Sequence, residues 1–111
     1  MEERLFQMKA DFLKALAHPS RIRILEHMRE QERCVCRFSE DLELEQSNVS
    51  QHLAILKKQE LVVSRKEGMN VIYKINHPEV FAILDMINVI LYAQVNSTMD
   101  LIKNFNKETA D

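Results

Sequence analysis

The stretch that decides the fold runs from Phe38 to Leu61 and has the sequence FSEDLELEQSNVSQHLAILKKQEL. Its apolar spacing predicts a short helix, a three-residue turn and a longer second helix. In the second helix, Val49, Leu53 and Leu56 follow one another at i, i+4 and i+7, which predicts one buried face. We therefore predict a helix-turn-helix at residues 38–60.

The opposite face of the second helix is small, polar and uncharged at its start and basic near its end. Amides and hydroxyls can donate and accept hydrogen bonds at base edges, and they cost less to desolvate than charges do. This pattern favours a recognition helix for the DNA major groove. The DNA-contacting residues predicted on it are Gln46, Ser47, Asn48, Ser50, Gln51, His52 and Lys58.

After Leu61 the alternation of apolar residues changes to a period of two. Two β-branched and aromatic runs surround Gly68, the only glycine of the chain, which can adopt the positive φ of a hairpin turn. We predict a β-hairpin at residues 62–75, which is the wing of a winged helix. Arg65 and Lys66 are expected at its tip, where they could contact phosphate or the minor groove.

The composition is that of one soluble globular domain spanning residues 1–111, mainly α-helical with a small β-hairpin. Hydrophobic residues make up 46% of the chain and charged residues 29%. The net charge is −2, but residues 45–75 hold five basic residues against three acidic ones. A local basic patch is what phosphate contacts require, so the overall charge does not exclude nucleic acid.

Helices are predicted at residues 5–18 and 78–105, and the second of them is expected to pair with a partner chain in a homodimer. Nearly every residue from Val80 to Tyr92 is apolar, which is more than one small domain can cover, and each buried apolar side chain is worth about 1.5–3 kcal/mol. A two-fold dimer would present two recognition helices to half-sites roughly 34 Å apart, so the expected partner is double-stranded DNA with an imperfect palindrome.

The sequence predicts a cytoplasmic protein without a membrane partner. The chain starts Met1-Glu2-Glu3 with no apolar run after it, which is unlike a signal peptide. The apolar run from Val80 to Tyr92 is interrupted by Asp85 and is expected to be too short to span a bilayer. Catalysis is not expected either, because no nucleophile with a base, carboxylate pair or phosphate-binding glycine loop can be identified.

Four segments together resemble the ArsR–SmtB type of bacterial and archaeal metalloregulators: LAHPSRIRIL, CVC, QSNVSQHLAILKKQELV and KEGMNVIYKI. The resemblance covers about residues 5–105. It implies a winged-helix homodimer joined through its first and last helices, and an operator-bound repressor that an inducer releases. It also implies that the polar residues of the recognition helix and the basic wing residues face DNA. Glu45 departs from the family, in which many members have Ser at the start of that helix.

The resemblance also implies an inducer site at Cys34 and Cys36, which match the CVC of arsenic-sensing members. Those members have a third Cys where this chain has Ser39. A trigonal As(III) or Sb(III) site uses three soft sulfur ligands, so an external thiol would have to supply the third. No cofactor is required, and As(III), Sb(III) or another thiophilic metal ion is the favoured inducer.

Two alternatives for the cysteines stay open. Arg33 and Arg37 flank the thiols and are expected to favour thiolate, which would suit thiol redox or reactive-sulfur sensing. The second alternative is that two small residues simply pack at a helix start.

The histidines are less favoured as metal ligands than the two cysteines. His27 is a minor ligand candidate near the thiols, His18 is expected to cap the second helix, and a zinc site on the last helix is not expected because no histidine follows His77. A winged-helix protein-interaction module without DNA binding is the rival function from another class.

Overall fold

The structure is a computed structural model that describes residues 1–109. Its elements are α1 (Glu2–Leu16), α2 (Pro19–His27), β1 (Arg33–Cys34), α3 (Val35–Leu42), α4 (Gln46–Lys58), β2 (Val62–Glu67), β3 (Asn70–Ile75) and α5 (Val80–Thr109). The chain divides into two compact units, one comprising Met1–Pro78 and the other beginning at Glu79. The predicted mainly helical fold with a small antiparallel hairpin is confirmed.

The core of the first unit is built around the predicted helix-turn-helix. Val49, Leu53 and Leu56 of α4 are all 0% exposed, and Phe38 of α3 and Ile24 of α2 are equally buried. Because three helices contribute to one apolar cluster, the direction of α4 is fixed by packing on its inner side. Its outer side is left to solvent.

The start of α2 follows the sequence expectation. Helix α1 ends at Leu16, and Pro19 is the first residue of α2. A proline suits that position because its missing N–H would have no helical partner there. The Nδ1 atom of His18 accepts the N–H of Ser20 at 3.0 Å, so the predicted capping role of His18 is confirmed.

The wing is part of a three-stranded antiparallel sheet with strand order β1-β3-β2. The turn between β2 and β3 contains Gly68 at φ +63°, the positive value that the hairpin requires. Strand β1 was not predicted from the sequence. It pairs Arg33 with Tyr73 and Cys34 with Ile72, and so fixes the cysteine segment to the wing.

The second unit consists of the 30-residue helix α5. By length and composition its Val80–Lys107 segment is long and apolar enough to cross a membrane. The predicted run from Val80 to Tyr92 covers only part of this segment, since apolar residues recur beyond Tyr92, as far as Phe105. Most of these side chains are exposed, including Leu91 at 51%, Tyr92 at 71% and Phe105 at 65%.

Candidate nucleic-acid interface and cysteine pair

The outer side of α4 carries the polar stripe predicted to contact DNA. Five of the predicted residues are exposed there, namely Gln46, Ser47, Asn48, Ser50 and Gln51. Val49 lies among them in sequence but points to the core and is 0% exposed. The helix therefore separates a buried apolar face from an exposed face of amides and hydroxyls, beginning at its first turn.

His52 lies apart from this polar stripe, on the flank of α4. Its ring centroid is 4.4 Å from that of His18, and Nη1 of Arg21 is 3.2 Å from its Nδ1. Burial, followed by the positive charges of His18 and Arg21, lowers the pKa of His52. These contacts connect α4 to the start of α2, so the structure places His52 where it can position the helix.

The basic end of α4 connects to the wing. Lys57 donates from Nζ to Oγ of Ser64 in β2 at 2.8 Å, which ties the helix to the first wing strand. The predicted DNA contact Lys58 is exposed beside it, in the last turn of α4.

The wing residues Arg65 and Lys66 lie in different surroundings. Arg65 lies opposite Ile72 in β3, and Lys66 lies opposite Val71, next to the Glu67–Asn70 pair that closes the turn. Lys66 is thus close to the predicted tip, whereas Arg65 lies further down the strand.

Arg65 is engaged by two carboxylates. Its Nη1 donates to Oε2 of Glu32 at 2.9 Å, its Nη2 donates to Oε1 of Glu32 at 2.5 Å, and Nη2 also contacts Oε2 of Glu67 at 3.2 Å. The hydrogen bond from Arg65 lowers the pKa of Glu32, and the same bond raises the pKa of Arg65. The arginine is therefore not free for phosphate in this structure.

The cysteines lie at the junction of β1 and α3. Cys34 is half-buried and is the N-cap of α3, where its Sγ accepts the N–H of Cys36 at 3.4 Å. Both are free thiols, and Cys36 is exposed. The hydrogen bond with Cys34, then burial and the charges of Cys34 and Glu40, raise the pKa of Cys36.

The expectation that the flanking arginines favour thiolate is wrong for Cys36, because its pKa is raised. Both guanidinium groups have other partners. Arg33 contacts the carbonyl oxygen of Glu32 at 3.5 Å, and Nη1 of Arg37 lies 3.8 Å from Glu40.

The side chains around Cys34 and Cys36 supply only part of the three sulfur ligands that a trigonal As(III) or Sb(III) site uses. Within residues 1–109 no group of three His, Cys, Asp or Glu side chains is positioned to hold a metal ion. The side chain of Ser39, at the position of the third family cysteine, has a buried Oγ without a hydrogen-bond partner. His27 is held elsewhere, with Nε2 2.9 Å from Oδ2 of Asp41 and its ring edge-on to Phe38 at 5.6 Å. The chain thus offers two soft donors, Cys34 and Cys36.

Sequence reasoning missed two residues that contact predicted DNA-binding side chains, Glu32 and Arg21. Each acts through a partner more than 30 residues away, since Glu32 binds Arg65 and Arg21 contacts His52. Local periodicity carries no signal for such pairs. Only the placement of β1 beside β3 and of α2 beside α4 brings them together.

The helix-turn-helix, the polar outer face of α4 and the β2–β3 hairpin define a winged helix-turn-helix protein of the DNA-binding type. Residues 18–64 match the family model described as bacterial regulatory protein, arsR family. The chain belongs to the ArsR family of transcriptional regulators, with its winged helix as the DNA-binding part.

Two relatives illustrate this membership. The uncharacterized HTH-type transcriptional regulator Rv0081 of Mycobacterium tuberculosis is 42% identical over 90 residues, which are 80% of this chain and 79% of the relative. The arsenical resistance operon repressor of Staphylococcus xylosus is 38% identical over 76 residues, which are 68% of this chain and 69% of that repressor.

Solved structures agree on the fold. The crystal structure of Rv0081 superposes with a TM-score of 0.77 at 38% identity and covers 86% of this chain and 96% of its own. The structure of reduced HlyU from Vibrio cholerae has a TM-score of 0.70 at 36% identity, with coverage of 80% and 94%. The homodimeric winged helix-turn-helix DNA-binding domain Mb0332 from Mycobacterium bovis has a TM-score of 0.75 at 26% identity, with coverage of 85% and 87%.

Proposed function

We propose that the protein is a homodimeric transcriptional repressor that binds an operator and leaves it when an inducer acts at Cys34 and Cys36. A soft metal or metalloid such as arsenite is the favoured inducer. The observation that carries the DNA-binding part is the exposed polar stripe on α4, opposite a fully buried apolar face. The arsenical repressor of Staphylococcus xylosus, similar over two thirds of both chains, supports the choice of inducer.

The proposed DNA contacts fall into two groups. Base edges would be met by the polar stripe of α4, because its amides and hydroxyls match donors and acceptors in the major groove. Phosphates would be met by Lys58, Lys66 and, once released from its carboxylates, Arg65. His52 would contact DNA only from the flank of α4, since Arg21 and His18 lie against one side of its ring.

Dimerisation through residues 5–18 and 78–105 is supported by apolar exposure in both units. Helix α1 exposes Leu5 at 51% and Phe6 at 61%, and α5 exposes Val89 at 60% and Leu91 at 51%. Covering such side chains removes apolar surface from water at about 25 cal/mol per Å². Mb0332 is described as a homodimer, which supports a second copy of this chain as the partner that covers these side chains.

The cysteine pair is placed to act on both DNA-binding elements. Cys34 is the cap of α3, which packs against α4, and it is also paired with Ile72 of the wing strand β3. A ligand or modification on the Cys34 sulfur removes the acceptor for the Cys36 N–H, which loosens the first turn of α3. An inducer can shift the dimer only if its affinity differs between the DNA-bound and free states.

Thiol redox or reactive-sulfur sensing is the second candidate for the same site. It needs one accessible thiol rather than a trigonal donor set, and Cys36 is exposed. The solved structure of reduced HlyU from Vibrio cholerae, at 36% identity, supports a redox state as the alternative signal.

The remaining assignments follow from membership in a family of regulators. We assign the protein to the cytoplasm and to a non-enzymatic role, and we assign the apolar surface of α5 to a partner copy rather than to lipid. The rival is a protein-interaction module that uses the winged domain without DNA, and Glu45 and the net charge of −2 favour it.

A mobility shift on the DNA upstream of the protein's own gene tests the proposal, with arsenite, cadmium and an oxidant added separately. The wild type should bind, and arsenite should release it. The C34S/C36S variant should bind equally well and stay bound in all three conditions. If its release persists, the cysteine assignment is wrong, and if the wild type is released by none of the three, the cysteines are not an inducer site.

A further inference from the structure

We propose that Glu32 is a phosphate mimic that competes with DNA for the wing residue Arg65, so that full wing contact requires the Glu32–Arg65 pair to open. The proposal deepens the DNA-binding function above and rests on it. It assigns an affinity-setting role to a loop residue outside the helix-turn-helix and the wing.

The geometry of the pair is that of a bidentate anion contact. Both terminal nitrogens of the Arg65 guanidinium donate to the two carboxylate oxygens of Glu32, at 2.9 Å and 2.5 Å. Arginine binds two oxygens of a phosphate in the same forked manner, so the same edge of the guanidinium cannot bind both anions at once. Glu67 holds the same Nη2 atom at 3.2 Å and adds a second competitor.

The sheet register explains why Glu32 reaches this position. Cys34 in β1 and Arg65 in β2 both lie opposite Ile72 in the central strand β3, so these three side chains share one face of the sheet. Glu67 follows Arg65 by two residues within β2 and so lies on that same face, and Glu32, just before β1, reaches it through its hydrogen bonds with Arg65. The short strand β1 is thus what delivers Glu32 to the wing.

The charges on this face balance. Glu32 and Glu67 oppose Arg65 and Lys74, and Lys74 acts with Arg65 to lower the pKa of Glu32. The pair is exposed, with side-chain accessibilities of 47% for Arg65 and 42% for Glu32. An ion pair this exposed is weak enough for a phosphate to displace it.

The test compares E32Q with the wild type in fluorescence anisotropy titrations on operator DNA over a range of salt concentrations. Gln keeps the size of the side chain and removes the competing charge. E32Q should bind DNA about two- to fivefold more tightly per protomer, because no ion pair has to open, and its log-log salt slope should equal that of the wild type, because both complexes make the same Arg65–phosphate contact. E30Q is the matched control, because Glu30 is an exposed carboxylate in the same loop.

A double-mutant cycle tests whether the effect of E32Q on DNA affinity acts through Arg65. In the R65Q background, E32Q should change neither the affinity nor the slope beyond the change that E30Q gives. An unchanged or weaker affinity of E32Q overturns the proposal, as does a gain that persists in R65Q, because the effect would then be general electrostatics. If the wild type does not bind DNA at all, the proposed function itself fails, and that result is distinct from any of these.

Discussion

Replacing Gln51 by Ala tests whether the outer stripe of α4 contacts bases. Gln51 is exposed, so truncation removes no core packing and should change the free energy of unfolding by less than about 0.5 kcal/mol. If its amide makes a bidentate contact with a base, each half-site loses about 1–3 kcal/mol. That loss corresponds to about 5- to 150-fold in affinity per half-site, and a dimer loses this contact at both half-sites.

The assay is anisotropy on operator DNA and on a scrambled duplex of the same length. Q51A should weaken operator binding and leave the scrambled duplex and the salt slope unchanged, because no phosphate contact is lost. K66Q should do the opposite, weakening both duplexes and reducing the slope by about 0.9 per protomer. Q31A provides the control for the same truncation at an exposed position of the loop before β1. Equal effects of Q51A on both duplexes would refute base contact by this residue.

Three further outcomes are expected. Because the pKa of His52 is lowered in the folded state, the wild type should lose thermal stability as the pH falls from about 6.5 toward that lowered pKa. The H52Q variant should lose less stability over the same range, and parallel curves for the two proteins would exclude this role. F38A removes a ring that is 0% exposed and should cost about 3–5 kcal/mol in urea unfolding, and a cost below 1 kcal/mol would contradict the core assignment. L91E should convert the dimer to monomer in light scattering without loss of helicity, whereas K103E at an exposed polar position should not; a dimeric L91E would rule out pairing through α5.

The helices and the wing were predictable because their signals are local. The i, i+4, i+7 stripe of α4 fixes its buried face, and all three of its residues are 0% exposed. His18 before Pro19 marks the start of α2, and Gly68 marks the hairpin turn. In each case the physical cause, periodic burial or a backbone preference, acts within a few residues.

The parts that were missed depend on partners distant in sequence. Strand β1 has two residues, too few for any alternation, and exists because β3 offers it hydrogen bonds. The Glu32–Arg65 pair joins residues 33 positions apart. The raised pKa of Cys36 arises from the hydrogen bond with Cys34, which flanking arginines in the sequence do not reveal. Site chemistry was therefore less predictable than fold.

The central claim is that α4 and the wing hold a DNA duplex by base edges and phosphates. Its most direct test is the salt dependence of wild-type binding to operator DNA between 50 and 300 mM salt, on the order of the range over which phosphate contacts weaken. We predict a linear fall of log affinity against log salt, with a slope of about 0.9 per phosphate contact, and tighter binding to operator than to scrambled DNA throughout. A flat response, or equal affinity for both duplexes, would contradict the account.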